Sequence, residues 1–193
     1  MLPVGAMNGS TQQPRLEVIC GPMFSGKTHE LIRRLSAAMD SGLRVIAAKP
    51  RIELNPHELV SLTGARWPSR PIGISTDLVS LAAEVDVLGL DEAQLMDSDL
   101  VNVVDHLRRQ VRLVVTGLDL DFRGEPFGAM PHLIERADEV TRLTASCEIC
   151  HNPATLTQRV THGEVAQRED PTIRVGGREL YEPRCERCFV TPR

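Results

Sequence analysis

At 193 residues the chain can bury one sizeable core with a small appendage, and it is too short for two full-sized domains. A net charge of −4 gives no sign of the broad basic face that grips nucleic-acid polymers by their phosphates, so no such partner is expected. One Trp, one Tyr and four Phe against 41% apolar residues leave a small aliphatic core.

Residues 1–14 mix Pro, Gly, Gln and Ser without an apolar stretch and are expected to form a disordered leader rather than a signal peptide. No run approaches the roughly 18 apolar residues of a membrane span, so a cytoplasmic protein with no membrane partner is expected. Leu16 to Cys20, Val45 to Ala48, Val85 to Leu90 and Val111 to Thr116 are short apolar runs of the kind found in buried strands. Between them, Glu30 to Met39 carries Leu31, Leu35 and Ala38 on one stripe. Asp77 to Ala83 follows Ser75 or Thr76 as a cap, and Ser98 to Arg109 alternates apolar and charged faces. Strands alternating with helices predict an α/β fold, a mostly parallel sheet with helices on both faces. Lys49 to Pro71 and Leu118 to Pro131 are expected as long loops of the kind that carry binding functions. Beyond about Thr144 come short β-like segments, Thr155 to Val160 and Thr172 to Val175. The expected division is therefore 15–143 as an α/β domain and 144–193 as the appendage.

Gly21, Pro22, Met23, Phe24, Ser25, Gly26, Lys27 and Thr28 match G-x-x-x-x-G-K-[ST], directly after the first strand and before the first helix. Glycines permit the tight turns that aim successive N–H groups and a helix N-terminus at phosphate oxygens. Lys27 then reaches the β and γ phosphates and Thr28 offers its hydroxyl to Mg²⁺. Asp91, at the end of Val85 to Leu90, fits the magnesium role. Glu92 beside it points elsewhere if the strand continues and is the candidate general base; the alternative is that both acids cap the next helix. ATPases, GTPases and kinases share this cradle, but no N-K-x-D segment is present, which favours ATP.

Five cysteines stand at 20, 147, 150, 185 and 188. Cys20 ends an apolar run and is read as a core residue. Cys147, Cys150, Cys185 and Cys188 form two C-x-x-C pairs, the pattern of a closed structural Cys₄ Zn²⁺ site. The 34 residues between the pairs are expected to form a hairpin or lasso clamped at its base. Redox chemistry is the competing reading, without the βαβ context that supports it. His151 is read as an exposed loop residue.

The P-loop, Asp91-Glu92-Ala93-Gln94, Gly117 to Phe127 and the cysteine pairs together resemble the zinc-containing (type II) thymidine kinases, over about Arg15 to Phe189. That resemblance implies a P-loop kinase domain and a zinc-stabilised β lasso. It implies transfer of a phosphoryl group from ATP to the 5′-hydroxyl of thymidine or deoxyuridine, with Glu92 as base. It also places Ala93 and Gln94 at the ATP site and Met23, Leu118, Phe122, Thr157 and Tyr181 about the nucleoside, Tyr181 from a Gly-rich loop. A homotetramer and feedback by thymidine triphosphate are implied in the same way. The chain departs from the family pattern at Glu53, Asn55, Leu62 and Leu95, where polar or aromatic residues are usual. These departures raise shifted nucleoside specificity, or a catalytically weak nucleotide-binding regulator, as alternatives, with Arg51 or Arg66 as stand-ins for an absent arginine.

Overall fold

The computed structural model describes residues 15–161 and 163–193; the leader expected over 1–14 lies outside them. The first strand, β1 (Leu16–Cys20), is buried along its whole length. Its Leu16, Val18 and Cys20 face one side and Ile19 the other, so both faces of the strand require cover. Helix α1 (Lys27–Asp40) supplies it on one side through Leu31, Ile32, Leu35 and Ala38. On the other side lie α2 (Asp77–Ala82), α3 (Leu100–Leu107) and α4 (Met130–Arg136). They pack Leu78, Leu100, Val104, Leu107, Met130 and Leu133 against the sheet.

The sheet has seven strands. Adding β2 (Val45–Pro50), β3 (Glu58–Val60), β4 (Arg66–Ile72), β5 (Val87–Leu90), β6 (Arg112–Gly117) and β7 (Glu139–Arg142), its order is β3-β4-β2-β5-β6-β1-β7. All neighbours pair parallel except β3 with β4. The α/β class with helices on both faces is therefore as expected. The central strands β5, β6 and β1 end together, which gathers the segments after Cys20, Leu90 and Gly117 at one edge, where open α/β sheets bind ligands.

Four local expectations are corrected. Lys49 to Pro71 is not one loop, because it holds β3 and β4. Thr172 to Val175 forms no strand. Neither Ser75 nor Thr76 caps α2 with its side chain. The Ser75 hydroxyl donates instead to Asp97 at 2.9 Å, and the Asp77 carboxylate accepts from the N–H of Gly73 at 2.8 Å. Nor does the strand continue through Glu92, which has φ 55° and begins a short 3₁₀ turn, Ala93–Leu95, without capping it through its side chain.

After β7 the chain makes a two-stranded ladder, β8 (Ala145–Ser146) with β9 (Pro153–Ala154), and a three-stranded sheet. The latter has β10 (Leu156–Thr161) between β11 (Glu164–Val165) and β12 (Tyr181–Arg184), all antiparallel. Residues 166–177 form a strap from β11 towards β12.

One acid lies inside the apolar β1. Glu17 is 1% exposed and faces α1. It accepts from Arg34 at 2.6 Å, from Arg112 at 2.6 and 3.1 Å, and from Arg15 at 2.9 Å. Burial pushes its pKa up, but the hydrogen bonds from Arg112 and Arg34 outweigh this and bring it from 4.5 to about 2. As pH falls, the unfolded chain therefore takes up the proton first. The stabilisation, roughly 3 kcal/mol, is complete above about 4.5 and is lost between that pH and about 2. Glu17→Gln leaves Arg112 without its carboxylate partner and takes one such partner from each of Arg15 and Arg34, and is expected to lower unfolding free energy at neutral pH by about 3–5 kcal/mol, read from urea titrations.

Candidate active site

The loop after β1 turns on Gly21, φ 143°, and Gly26, φ 90°. A Cβ at Gly21 would stand 2.3 Å from the carbonyl oxygen of Leu143, so no side chain fits there without moving the backbone. Phe24 also has positive φ, at 65°. Ser25 Oγ donates to Pro22 O at 2.8 Å and Lys27 Nζ to the same oxygen at 2.7 Å, which folds the lysine over the loop. Burial lowers the Lys27 pKa, while the carboxylates of Glu92 and Asp91 oppose that shift.

Thr28, in the first turn of α1, donates its hydroxyl to Asp91 Oδ2 at 3.0 Å. Asp91 is buried and also accepts from Thr116 at the end of β6. A hydroxyl and a carboxylate converging across two strand ends are hard oxygen donors of the kind Mg²⁺ takes, so these residues fit that ion.

Glu92 is half-buried. Its backbone is left-handed, and it lines a cavity of about 250 Å³ shared with Lys27 and Thr28. Gln94 fixes it there: Nε2 donates to Glu92 Oε2 at 2.6 Å while Oε1 accepts from the N–H of Leu118 at 3.0 Å. Loss of water around Glu92 pushes its pKa up to about 7. The Asp91 charge adds to the shift, and Lys27 opposes it.

Met23, Phe24, Gly26, Lys27, Thr28, Glu92, Gln94, Leu118 and Tyr181, of the residues singled out above, line the cavity, together with the strap from Thr172 to Gly176. Gly21, Pro22, Ser25, Asp91 and Ala93 do not line it. Nor do Thr157, whose Oγ1 accepts from the N–H of Met23 at 3.0 Å, and Phe122, which is buried. Tyr181 is not in the Gly-rich loop. It opens β12 and donates its hydroxyl to the carbonyl of Arg174. Of the four departures from the family pattern, Glu53, Leu62 and Leu95 line the cavity, and Asn55 is exposed outside it. Neither Arg51 nor Arg66 lines it. Arg66 pairs with Glu58 on the β3–β4 hairpin, and Arg174 is the only arginine lining the cavity among the described residues.

The sulfurs of Cys147, Cys150, Cys185 and Cys188 lie within 4.8 Å of one another, with Cys150 at 3.5 Å from both Cys185 and Cys188. A tetrahedral Cys₄ zinc site, with Zn–S of about 2.3 Å, has S···S edges of about 3.8 Å, so the four thiols fit Zn²⁺ with no position left open. Cys20 is wholly buried. His151 is exposed in its loop.

The fold and the site define a P-loop nucleotide-binding α/β protein with a four-cysteine cluster that fits zinc. The chain belongs to the thymidine kinase family: the family profile described as Thymidine kinase matches residues 14–189. The thymidine kinase of Coprothermobacter proteolyticus is 47% identical over 179 residues, which span 91% of this chain and 90% of that protein. Among solved structures, the replication initiator DnaA bound to AMPPCP and single-stranded DNA is 14% identical over 69% of this chain and 41% of that one, with a TM-score of 0.42. Bacteroides Pif1 bound to ssDNA is 16% identical over 69% of this chain and 39% of its own, with a TM-score of 0.39. The chain thus spans about two fifths of those structures' lengths. No helix among the described residues is long and apolar enough to cross a membrane.

Proposed function

We propose that the cavity between the P-loop and the strap is where this enzyme carries out its family's reaction, ATP-dependent phosphorylation of the 5′-hydroxyl of thymidine or deoxyuridine. The observation that carries the assignment of roles is Glu92, held by Gln94 in the cavity that Lys27 and Thr28 also line. The P-loop N–H groups and Lys27 bind the triphosphate, and Glu92 takes the proton from the attacking hydroxyl. Thr28 and Asp91 would hold magnesium, which would supply neutralisation of the phosphate charge. Everything else is positioning. Met23, Leu118 and Tyr181 supply the walls around the nucleoside, with Phe122 and Thr157 supporting them from behind. The strap covers the nucleoside, and Zn²⁺ holds the base of the lasso. We read 15–143 as the kinase domain and 144–193 as knuckle and lasso, in a cytoplasmic protein that is a homotetramer, the last as the family resemblance implies.

A second reading, shifted nucleoside preference, is favoured by Glu53, Leu62 and Leu95, which line the cavity itself. Transfer of labelled γ-phosphate from ATP to a panel of nucleosides decides between them. Thymidine and deoxyuridine are expected to be the best acceptors. Stronger labelling of deoxycytidine or a purine nucleoside establishes the second reading, and no labelling of any nucleoside removes both.

A further inference from the structure

The strap is held in an unusual way. Among the described residues, positions 171–176 make no backbone-to-backbone hydrogen bond, yet Thr172 to Gly176 form a wall of the cavity. Side-chain donors hold their carbonyls instead. Arg159, on β10, gives one guanidinium nitrogen to Pro171 O at 2.5 Å and the other to Thr172 O at 2.7 Å. Arg123 donates to Arg168 O at 2.8 Å, to Asp170 O at 2.7 Å and to Thr172 Oγ1 at 3.0 Å.

The two arginines share one platform. The guanidinium carbons of Arg159 and Arg123 lie 3.9 and 4.3 Å from the centroid of the Phe122 ring, and Arg159 also lies 5.2 Å from that of Tyr181. Arg159 is 2% exposed and has no carboxylate partner within salt-bridge distance among the described residues. Its Nε is buried without a hydrogen-bond partner. A fully charged side chain is thus buried with two backbone carbonyls and aromatic faces as its compensation. A planar fork meets both demands at once, which a lysine ammonium does not.

We propose that Arg159, assisted by Arg123, is a positioning residue: it grips the strap by its carbonyls and so sets the KM for the nucleoside without touching the nucleoside. The inference rests on the reading that the strap covers the nucleoside. The grip has a direction, because the arginines come from the segment after β6 and from β10, whereas the strap brings no ladder of its own. Loosening the grip frees the cover and leaves the P-loop and Glu92 in place.

Arg159→Lys tests it by limited trypsin digestion and steady-state kinetics on the zinc-loaded protein. Cleavage after Arg174, within the strap, is expected to quicken at least about tenfold in the ligand-free variant. The KM for thymidine is expected to rise about tenfold, with the KM for ATP and kcat each within about twofold. A merely structural defect lowers the active fraction and hence apparent kcat, and leaves KM alone. Unchanged cleavage after Arg174 in the folded variant overturns the grip. Faster cleavage with unchanged thymidine KM, or an equal rise in both KM values, overturns its role in nucleoside binding. Should Arg159→Lys fail to fold, Arg123→Ala is decisive in its place, with the same pattern expected at about threefold and the same failures counting against it. Wild-type cleavage after Arg174 with and without thymidine tests the underlying reading separately: no slowing by thymidine removes the cover, whatever the variants do.

Discussion

Glu92→Gln is expected to lower kcat for thymidine phosphorylation by about 10²–10⁴-fold, with ATP affinity unchanged within about twofold. The substitution keeps the size of the side chain, and its carbonyl still accepts from Gln94 Nε2, which stands 2.6 Å from the present carboxylate. What disappears is the ability to take up a proton. The triphosphate cradle is built from the turn at Gly21 to Thr28 and needs nothing from Glu92. Isothermal titration with a non-hydrolysable ATP analogue reads binding, and single-turnover transfer of labelled phosphate reads chemistry. Activity within about tenfold of wild type removes Glu92 as base, leaving the positioned hydroxyl to lose its proton elsewhere. Gln94→Ala provides the companion measurement: it frees the Glu92 carboxylate and the Leu118 N–H together and is expected to reduce kcat by roughly tenfold while the base itself remains.

The second large effect concerns the metal. Cys185→Ser is expected to abolish stoichiometric zinc and to raise the thymidine KM by more than about tenfold, with ATP binding retained. The reason is the poverty of the local core. Cys147, Cys185 and Ala154 are its buried members, with Ala145, Cys150 and Cys188 packed against them. Such a cluster removes too little apolar surface from water to order the surrounding turns, so metal–thiolate bonds must supply the free energy. The P-loop, by contrast, is anchored in the seven-stranded sheet between two apolar cores. Zinc content by mass spectrometry under non-denaturing conditions and the two KM values check this. Normal zinc and normal thymidine KM in the variant would remove the clamp from the proposed mechanism.

Legibility of the fold followed the chemistry of each segment. β1, the P-loop and α1 could be read because a continuous apolar run, a glycine-framed loop and a helical stripe follow one another without ambiguity. β4 could not, since Arg66-Trp67-Pro68-Ser69-Arg70-Pro71-Ile72 carries two prolines and little apolar continuity, the marks of a turn. It lies one strand in from the sheet's edge, paired to β2 and to the three-residue β3. β7 was hidden because Glu139-Val140-Thr141-Arg142 is an edge strand with one apolar residue. α4 was hidden because Pro131, at its first turn, marks a helix start as readily as a loop. The β-branched run at Thr172 to Val175 misled in the other direction.

At the site, residue types were legible and orientations were not. Nothing in Asp91-Glu92 announces that the second residue leaves the strand in a left-handed conformation. Glu17 was missed because one acid inside an apolar strand carries no pattern until Arg34 and Arg112 converge on it from distant positions and join Arg15. Arg159 was missed likewise. Its partners are backbone carbonyls, which leave no trace in residue identity.

The hydrogen bond from the N–H of Met23 to Thr157 Oγ1 joins the P-loop turn to β10, which on the proposed roles are the triphosphate cradle and the support of the nucleoside wall. Whatever distorts one end of it is felt at the other. By thermodynamic necessity the influence runs equally in both directions: the factor by which ATP alters the affinity for thymidine is the factor by which thymidine alters the affinity for ATP. On the proposed roles, the two substrates of this enzyme are expected to alter each other's affinity through a contact that neither of them makes, read as the change in thymidine Kd on adding a non-hydrolysable ATP analogue.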